Sequence, residues 1–161
     1  VKKMSVQVRN DVVTVKSIAK AFLNMEQMSP KKLQKMCYYA YAWYLTLNRE
    51  PLFNNSFQAW IHGPVDPELY TEYKQYGWKE IPQEDILPLE IQERPEIVEF
   101  LENVYASYGH LTGDELEYLT HNQAPWLEAR EGLNPYDSSQ NPINDETILR
   151  YHLAELENAN S

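Results

Sequence analysis

The sequence of 161 residues contains side chains that could perform acid–base, nucleophilic or metal chemistry, but their spacing favours none of these. No two of the histidines His62, His110, His121 and His152 form a His-x-x-x-His pair, and Cys37 has no neighbouring ligand. The sequence has no Gly-x-Ser-x-Gly elbow, phosphate-binding glycine loop or dinucleotide fingerprint. We therefore predict no catalytic residue, no metal site and no cofactor. An enzyme that uses His62 or His121 is the weakest alternative.

The aromatic and charged side chains are better suited to binding a partner than to catalysis, because tryptophan and arginine are favoured in binding hot spots. A predicted helix ends at His121 and the next begins at Pro125, which brings several such side chains near one turn. The alternative is that the tryptophans fill the core and the histidines satisfy backbone groups near helix ends. The candidate partner-binding residues are Trp60, His62, Tyr70, His121, Trp126, Arg130, Glu96 and Glu99.

We expect the fold to be organised around the stretch FQAWIHGPVDPELY at 57–70. Alternation of apolar and polar side chains predicts a strand over 57–62, with Trp60 and His62 on the same face. The glycine–proline pair at 63–64 then turns the chain, since glycine relaxes and proline fixes the backbone angles. An aspartate followed by proline at 66–67 predicts the start of a helix.

Hydrophobic periodicity predicts a mainly helical, single compact domain of about six helices with a small β-hairpin. The helix over 30–48 begins with a serine cap and a proline and is expected to be central. The hairpin is predicted over 52–62 with its turn at 54–56, and residues 78–95 are predicted to form an extended connector. Thr112 and Glu115 form a capping box that predicts another helix start.

The domain is predicted to span 12–156, after a flexible N-terminal segment at 1–11 and before a disordered tail at 157–161. No apolar run approaches the length of a membrane span, and no secretory signal pattern is present. One cysteine cannot form an intramolecular disulfide, which fits a reducing compartment. We therefore expect a cytoplasmic protein with no membrane partner.

The net charge of −10 argues against general nucleic-acid binding and is compatible with a basic protein partner. Glutamates recur at every third position over 93–102, which indicates either a solvated helix face or a contact surface. The lysines Lys31, Lys32 and Lys35 near the start of the central helix leave a helix-turn-helix alternative open. Tyrosines at 38, 39 and 41 crowd the next turn and weaken that alternative.

Three separated stretches together resemble one known family. LQKMCY at 33–38 resembles its LQK-hydrophobic-Tyr signature, and FQAWIHGPVDPELY at 57–70 resembles its central signature. The stretch 116–130 resembles its closing pattern through Leu116, Thr120, His121, Pro125, Trp126, Ala129 and Arg130. The resemblance covers about 12–135 and is to the Panacea antitoxin domain family, whose members are also labelled phage-associated GepA-like or SocA-like proteins.

The resemblance implies a non-enzymatic antitoxin of a toxin–antitoxin system, encoded by a prokaryote or prophage, that neutralises a cognate protein toxin by direct binding. It implies no small-molecule substrate. Family members with near-identical cores are paired with unrelated toxins, so the shared motifs are expected to hold the fold rather than select the toxin. Two alternatives remain: a phage or mobile-element accessory protein that binds a host protein, and a DNA-binding regulator that uses the Lys31–Lys35 helix start.

Overall fold

The computed structural model describes residues 13–160, and the predicted flexible segment at 1–11 lies outside them. The described part contains eight α-helices, one 3₁₀ helix and one two-stranded sheet. This confirms the prediction of a mainly helical, single compact domain with a small hairpin. The elements are α1 (Val15–Met25), α2 (Pro30–Asn48), β1 (Gln58–Trp60), β2 (Gly63–Val65), α3 (Pro67–Tyr73), a 3₁₀ helix (Lys74–Tyr76), α4 (Leu89–Gln92), α5 (Pro95–Tyr108), α6 (Gly113–His121), α7 (Ala124–Ala129) and α8 (Asp145–Ala159).

Helix α2 is the centre of the domain, as predicted, and packs against α1, α5, α6, α8 and the hairpin. It begins where the Ser29 side chain accepts a hydrogen bond from the Lys32 N–H, with Pro30 at the first helical position. Its tyrosines Tyr38, Tyr39 and Tyr41 are buried, and the hydroxyl groups of Tyr39 and Tyr41 find hydrogen-bond partners. The Tyr39 hydroxyl donates to Gln123 Oε1 at 2.9 Å, which satisfies a polar group inside the core.

The predicted position of the hairpin was wrong. Antiparallel pairing joins 58–60 to 63–65, with Trp60 opposite Gly63, so the turn lies at 61–62 and not at 54–56. The chain can reverse this early because Gly63 adopts a φ of +111°, which L-residues rarely adopt. The predicted glycine–proline corner is therefore itself strand β2. On the other edge of β1, the Ala59 N–H donates to the Asn141 carbonyl at 2.8 Å.

Two further segments differ from their predictions. The connector at 78–95 contains the short helix α4, and the Ile81 N–H ties the connector to the turn before α2 by donating to the Met28 carbonyl at 2.8 Å. At the end of the chain, α8 continues to Ala159, where a disordered tail had been predicted from residue 157. It continues because no glycine or proline interrupts the helix. None of the helices in the described range is long and apolar enough to cross a membrane.

Candidate functional site

The motif at 33–38 contacts the motif at 57–70 through Gln34, a buried residue of α2. The Gln34 side-chain amide donates to the Asp66 carbonyl at 3.1 Å and accepts from the Asp66 N–H at 2.9 Å. Asp66 in turn caps α3 by accepting from the Leu69 N–H at 3.0 Å. One side chain of α2 therefore fixes the junction between β2 and α3.

Lys35, the next residue of α2, passes directly beneath Gly63. Its ammonium group donates to the Pro64 carbonyl at 3.3 Å, and the residue is only 1% exposed. A Cβ atom at position 63 would overlap Cε of Lys35 and would lie 3.0 Å from Thr120 Oγ1, so a glycine is needed here for space as well as for φ. Burial lowers the pKa of Lys35 to about 7, while the nearby Glu117 carboxylate acts in the opposite direction.

The motif at 116–130 binds the outer edge of the hairpin through Trp126 and Arg130. The Trp126 indole N–H donates to the Trp60 carbonyl at 2.8 Å, and Arg130 Nη1 donates to the Ala59 carbonyl at 2.8 Å. Arg130 Nη2 also donates to the Asp137 carbonyl at 2.6 Å, which ties the following loop to β1. The Arg130 guanidinium lies 5.0 Å from the centroid of the Trp126 ring, and the His121 ring stacks on that ring at 3.9 Å.

A small ion-pair network lies beside the hairpin turn. One oxygen of Glu117 is 2.6 Å from Lys31 Nζ, and the other is 3.0 Å from His62 Nδ1. Lys31 also pairs with Asp114 at 2.9 Å. Burial alone would raise the pKa of Glu117, but Lys31 and His62 lower it overall. Burial also lowers the pKa of His121, whose Nε2 lies 3.9 Å from Glu117.

These elements enclose one large groove, with a volume of about 620 Å³, between α2, the hairpin, α3 and the start of α6. Its rim is aromatic: the Trp78 residue is 93% exposed and Tyr70 is 44% exposed. The Trp60 and Tyr70 rings pack against each other, with their centroids 4.9 Å apart. His62 stands at the same rim. Exposed aromatic side chains around a concave surface are typical of a protein-binding site.

The structure separates the eight predicted site residues into three groups. Trp60, His62 and Tyr70 line the groove. Trp126 and Arg130 are buried behind the hairpin, where His121 stacks on the tryptophan. Glu96 and Glu99 are exposed on α5 and are not among the groove's lining residues.

Sequence reasoning missed Trp78 and Lys35 as groove residues. The signal for Trp78 was present, since it is a lone tryptophan in the polar stretch that follows Gly77. Lys35 could not be separated from its neighbours at 31 and 32 by sequence, because burial rather than spacing distinguishes it.

The helix-turn-helix alternative required lysines that could contact phosphates. Lys35 is buried, and Lys31 is engaged by Glu117 and Asp114. Lys32 Nζ pairs with Glu26 at 2.9 Å and donates to the Gly109 carbonyl at 2.7 Å. The start of α2 therefore presents no exposed basic face for DNA.

Titratable groups do not assemble into a metal site in the described range: no three His, Cys, Asp or Glu residues there are placed to hold an ion. Cys37 is buried in α2, and burial raises the pKa of its thiol well above the usual value. A thiol of this kind is a poor nucleophile. Ser29, which lines the groove, uses its hydroxyl group as the cap of α2.

Comparison with known proteins gives a family match over residues 33–127, to the family described as Antitoxin SocA-like, Panacea domain. The chain is similar to Antitoxin SocA of Caulobacter vibrioides (strain NA1000 / CB15N), with 34% identity over 104 residues. That similarity covers 58% of this chain and 55% of the relative, so the chain spans about half the length of the curated protein that it matches. No solved structure matches the chain.

Proposed function

We propose that this chain, which belongs to the SocA-like Panacea domain family of antitoxins, neutralises a cognate protein toxin by binding it directly and without catalysis. We further propose that the toxin binds at the groove. The matched residues 33–127 contain all but three of the groove-lining residues, which supports this location within the family domain.

The observation that carries the proposal is the exposure of Trp78 at the rim of a concave, largely apolar surface. A tryptophan that is 93% exposed leaves a large apolar area in water, which a partner can cover with a gain in free energy. Tyr70 and Trp60 extend that area along one side of the groove. These three rings provide the aromatic anchors that binding hot spots favour.

A binding role without catalysis agrees with how the polar groups beside the hairpin turn are used. The Glu117 carboxylate is shared by Lys31 and His62. The ring of His121 stacks on Trp126. None of these groups is paired with a hydroxyl or thiol nucleophile in the described residues, which supports recognition rather than acyl or phosphoryl transfer.

The acidic face of α5 supports a second surface. Glu93, Glu96, Glu99 and Glu102 are all exposed, and Glu96 pairs with Arg94 at 2.7 Å, so this face carries negative charge toward a basic partner. This face suits the alternative of an accessory protein that binds a basic host protein. The groove is the better candidate for the toxin because it supplies buried area as well as charge.

The proposed function is tested by toxicity and rescue. The product of the reading frame adjacent to this gene is induced in a bacterium with and without the full chain, and the two proteins are then co-purified. We expect growth arrest without the chain, growth with it, and a stable complex. A neighbouring product that is harmless alone, or rescue without any complex, would contradict the proposal.

A further inference from the structure

Lys35 lacks a carboxylate partner at the floor of the groove. Within residues 13–160, its ammonium group makes one hydrogen bond, the 3.3 Å contact with the Pro64 carbonyl, and it has no carboxylate oxygen within salt-bridge distance. An ammonium group has three donors, and burying one with so few acceptors is costly. A ligand that supplies further acceptors to this ammonium group would offset the cost in the complex.

The carboxylate that acts on Lys35, that of Glu117, is already engaged by two other side chains. Glu117 binds Lys31 through one oxygen at 2.6 Å and His62 through the other at 3.0 Å. Asp114 binds Lys31 at 2.9 Å and is largely exposed. The negative charge of Glu117 therefore acts on Lys35 from a distance, but Lys35 has no direct ion pair within the described residues.

Two helices begin at the wall of the groove. Ser29 caps α2 and Thr112 caps α6, and both residues line the groove wall. The two helix starts lie against each other, since a Cβ atom at Gly113 would be only 3.2 Å from the Lys32 amide nitrogen. Helix N-termini carry partial positive charge; Asp114 and Glu115 offset it in the first turn of α6, whereas the first turn of α2 has no acidic residue and favours an anionic group.

The remainder of the groove is apolar. Its wall and rim there are formed by the side chains Leu33, Val65, Leu69, Tyr70, Tyr73 and Trp78. The groove therefore combines an apolar wall with a buried cation at its floor and with two helix N-termini. A ligand that matches both features has an apolar group next to a negative charge.

We propose that the groove binds a segment of the toxin in which a carboxylate lies next to an aromatic or large aliphatic side chain. The carboxylate pairs with Lys35, and the apolar side chain packs against Tyr70 and Trp78. The long lysine side chain reaches the ligand by a rotamer change that exchanges the 3.3 Å bond to Pro64 for a charge-assisted bond. This inference rests on the proposed function and adds the chemistry of the partner.

A random library of twelve-residue peptides provides the probe, since the toxin segment is not identified. Selection on the immobilised full chain is expected to enrich peptides with Asp, Glu or a free C-terminus beside an aromatic or aliphatic residue. Enriched peptides are then synthesised in three forms: unchanged, with the acidic residue replaced by its amide, and with an amidated C-terminus. The form that loses affinity identifies whether the carboxylate comes from a side chain or from a chain end.

The decisive comparison uses Lys35→Met, which keeps an unbranched side chain one atom shorter and removes the charge, and Lys79→Met, which changes an exposed lysine outside the groove. We expect K35M to weaken peptide binding at least tenfold and K79M to leave it within twofold. A merely structural role would predict a less stable K35M protein, whereas removal of a buried charge should leave its unfolding midpoint equal or higher.

A measurement on the unmodified chain covers the case in which K35M does not fold. The ¹⁵Nζ resonance of Lys35 should shift when the carboxylate peptide is added and should not shift with the amide form. Failure to enrich any peptide, enrichment without carboxylates, or equal binding by K35M would overturn this inference. Toxin rescue by the unmodified chain would still stand in those cases, so the two proposals fail separately.

Discussion

Gln34 and Asp66 exchange two hydrogen bonds, one of 3.1 Å and one of 2.9 Å, across 32 residues of chain. This pair joins the motif at 33–38 to the motif at 57–70. Through Trp126 and Arg130 the third motif reaches the same hairpin from the other side. The three motifs thus stabilise one hairpin, and that hairpin borders the groove.

Gln34→Ala should destabilise the protein by about 2–4 kcal/mol, because it leaves both the N–H and the carbonyl of a buried Asp66 without their partner. Urea unfolding followed by circular dichroism measures the change. Gln75→Ala, at an exposed position in the 3₁₀ helix, is the matched control and should stay within about 0.5 kcal/mol. Equal stability of the two variants would show that the pair does not hold the hairpin.

Gly63→Ala should be more destabilising than Gly77→Ala. Both glycines have positive φ, at +111° and +60°, but only a Cβ at position 63 would overlap the Lys35 side chain. We expect a loss above about 2 kcal/mol at Gly63 and about 1 kcal/mol at Gly77. In a Lys35→Ala background the cost of G63A should fall, since the overlapping atoms are gone. A cost that is unchanged in that background would exclude the steric explanation.

Arg130→Ala should cost about 2–4 kcal/mol, because the buried guanidinium donates to carbonyls of both β1 and the loop before α8. Arg150→Ala is the control: its pair with Glu128 is exposed on both sides, so its loss should cost at most about 1 kcal/mol. Thermal and urea unfolding report both changes. If the R150A protein were the less stable of the two, Arg130 would not be the loop anchor that its contacts indicate.

The free energy of unfolding should rise between pH 7 and 8.5. The pKa of Lys35 is about 7 in the folded chain and returns to about 10.5 on unfolding, so the unfolded chain binds more protons throughout this interval. The expected rise is about 1–2 kcal/mol. The measurement stops at pH 8.5 because the buried Cys37 thiol, whose pKa is raised, acts in the opposite direction near and above its ordinary pKa of 9.0.

Two variants control the pH experiment. Lys35→Met should abolish the rise in the free energy of unfolding, and Lys79→Met should retain it. Glu117 and Lys31 face Lys35 and are present in both variants. A rise that persists in K35M would assign the pH dependence to another group.

The sequence predicted the elements that local chemistry determines. Ser29 and Pro30 correctly marked the start of the central helix, and the capping box at Thr112 and Glu115 is formed as predicted. These predictions succeeded because caps depend on residues three positions apart. The hairpin register failed because it depends on distant contacts, such as the Ala59 bond to the carbonyl of Asn141.

The candidate site was only partly predictable for a related reason. Aromatic residues were recognised as binding candidates, but whether a tryptophan faces solvent or core is decided by packing. Trp126 is 7% exposed and Trp78 is 93% exposed, although both follow helix-boundary signals in the sequence. Lys35 carries a charge that sequence patterns place at the surface, and only the path beneath Gly63 shows that it is buried.

We propose that the toxin binds at the groove and that the acidic face of α5 contributes less to its affinity. The most direct measurement is the affinity of the purified toxin for two variants by calorimetry: Tyr70→Ala with Trp78→Ala, and Glu96→Gln with Glu99→Gln. We predict that the groove variant loses at least about tenfold in affinity and that the α5 variant stays within about threefold. Unchanged affinity in the groove variant, with a large loss in the α5 variant, would contradict the account.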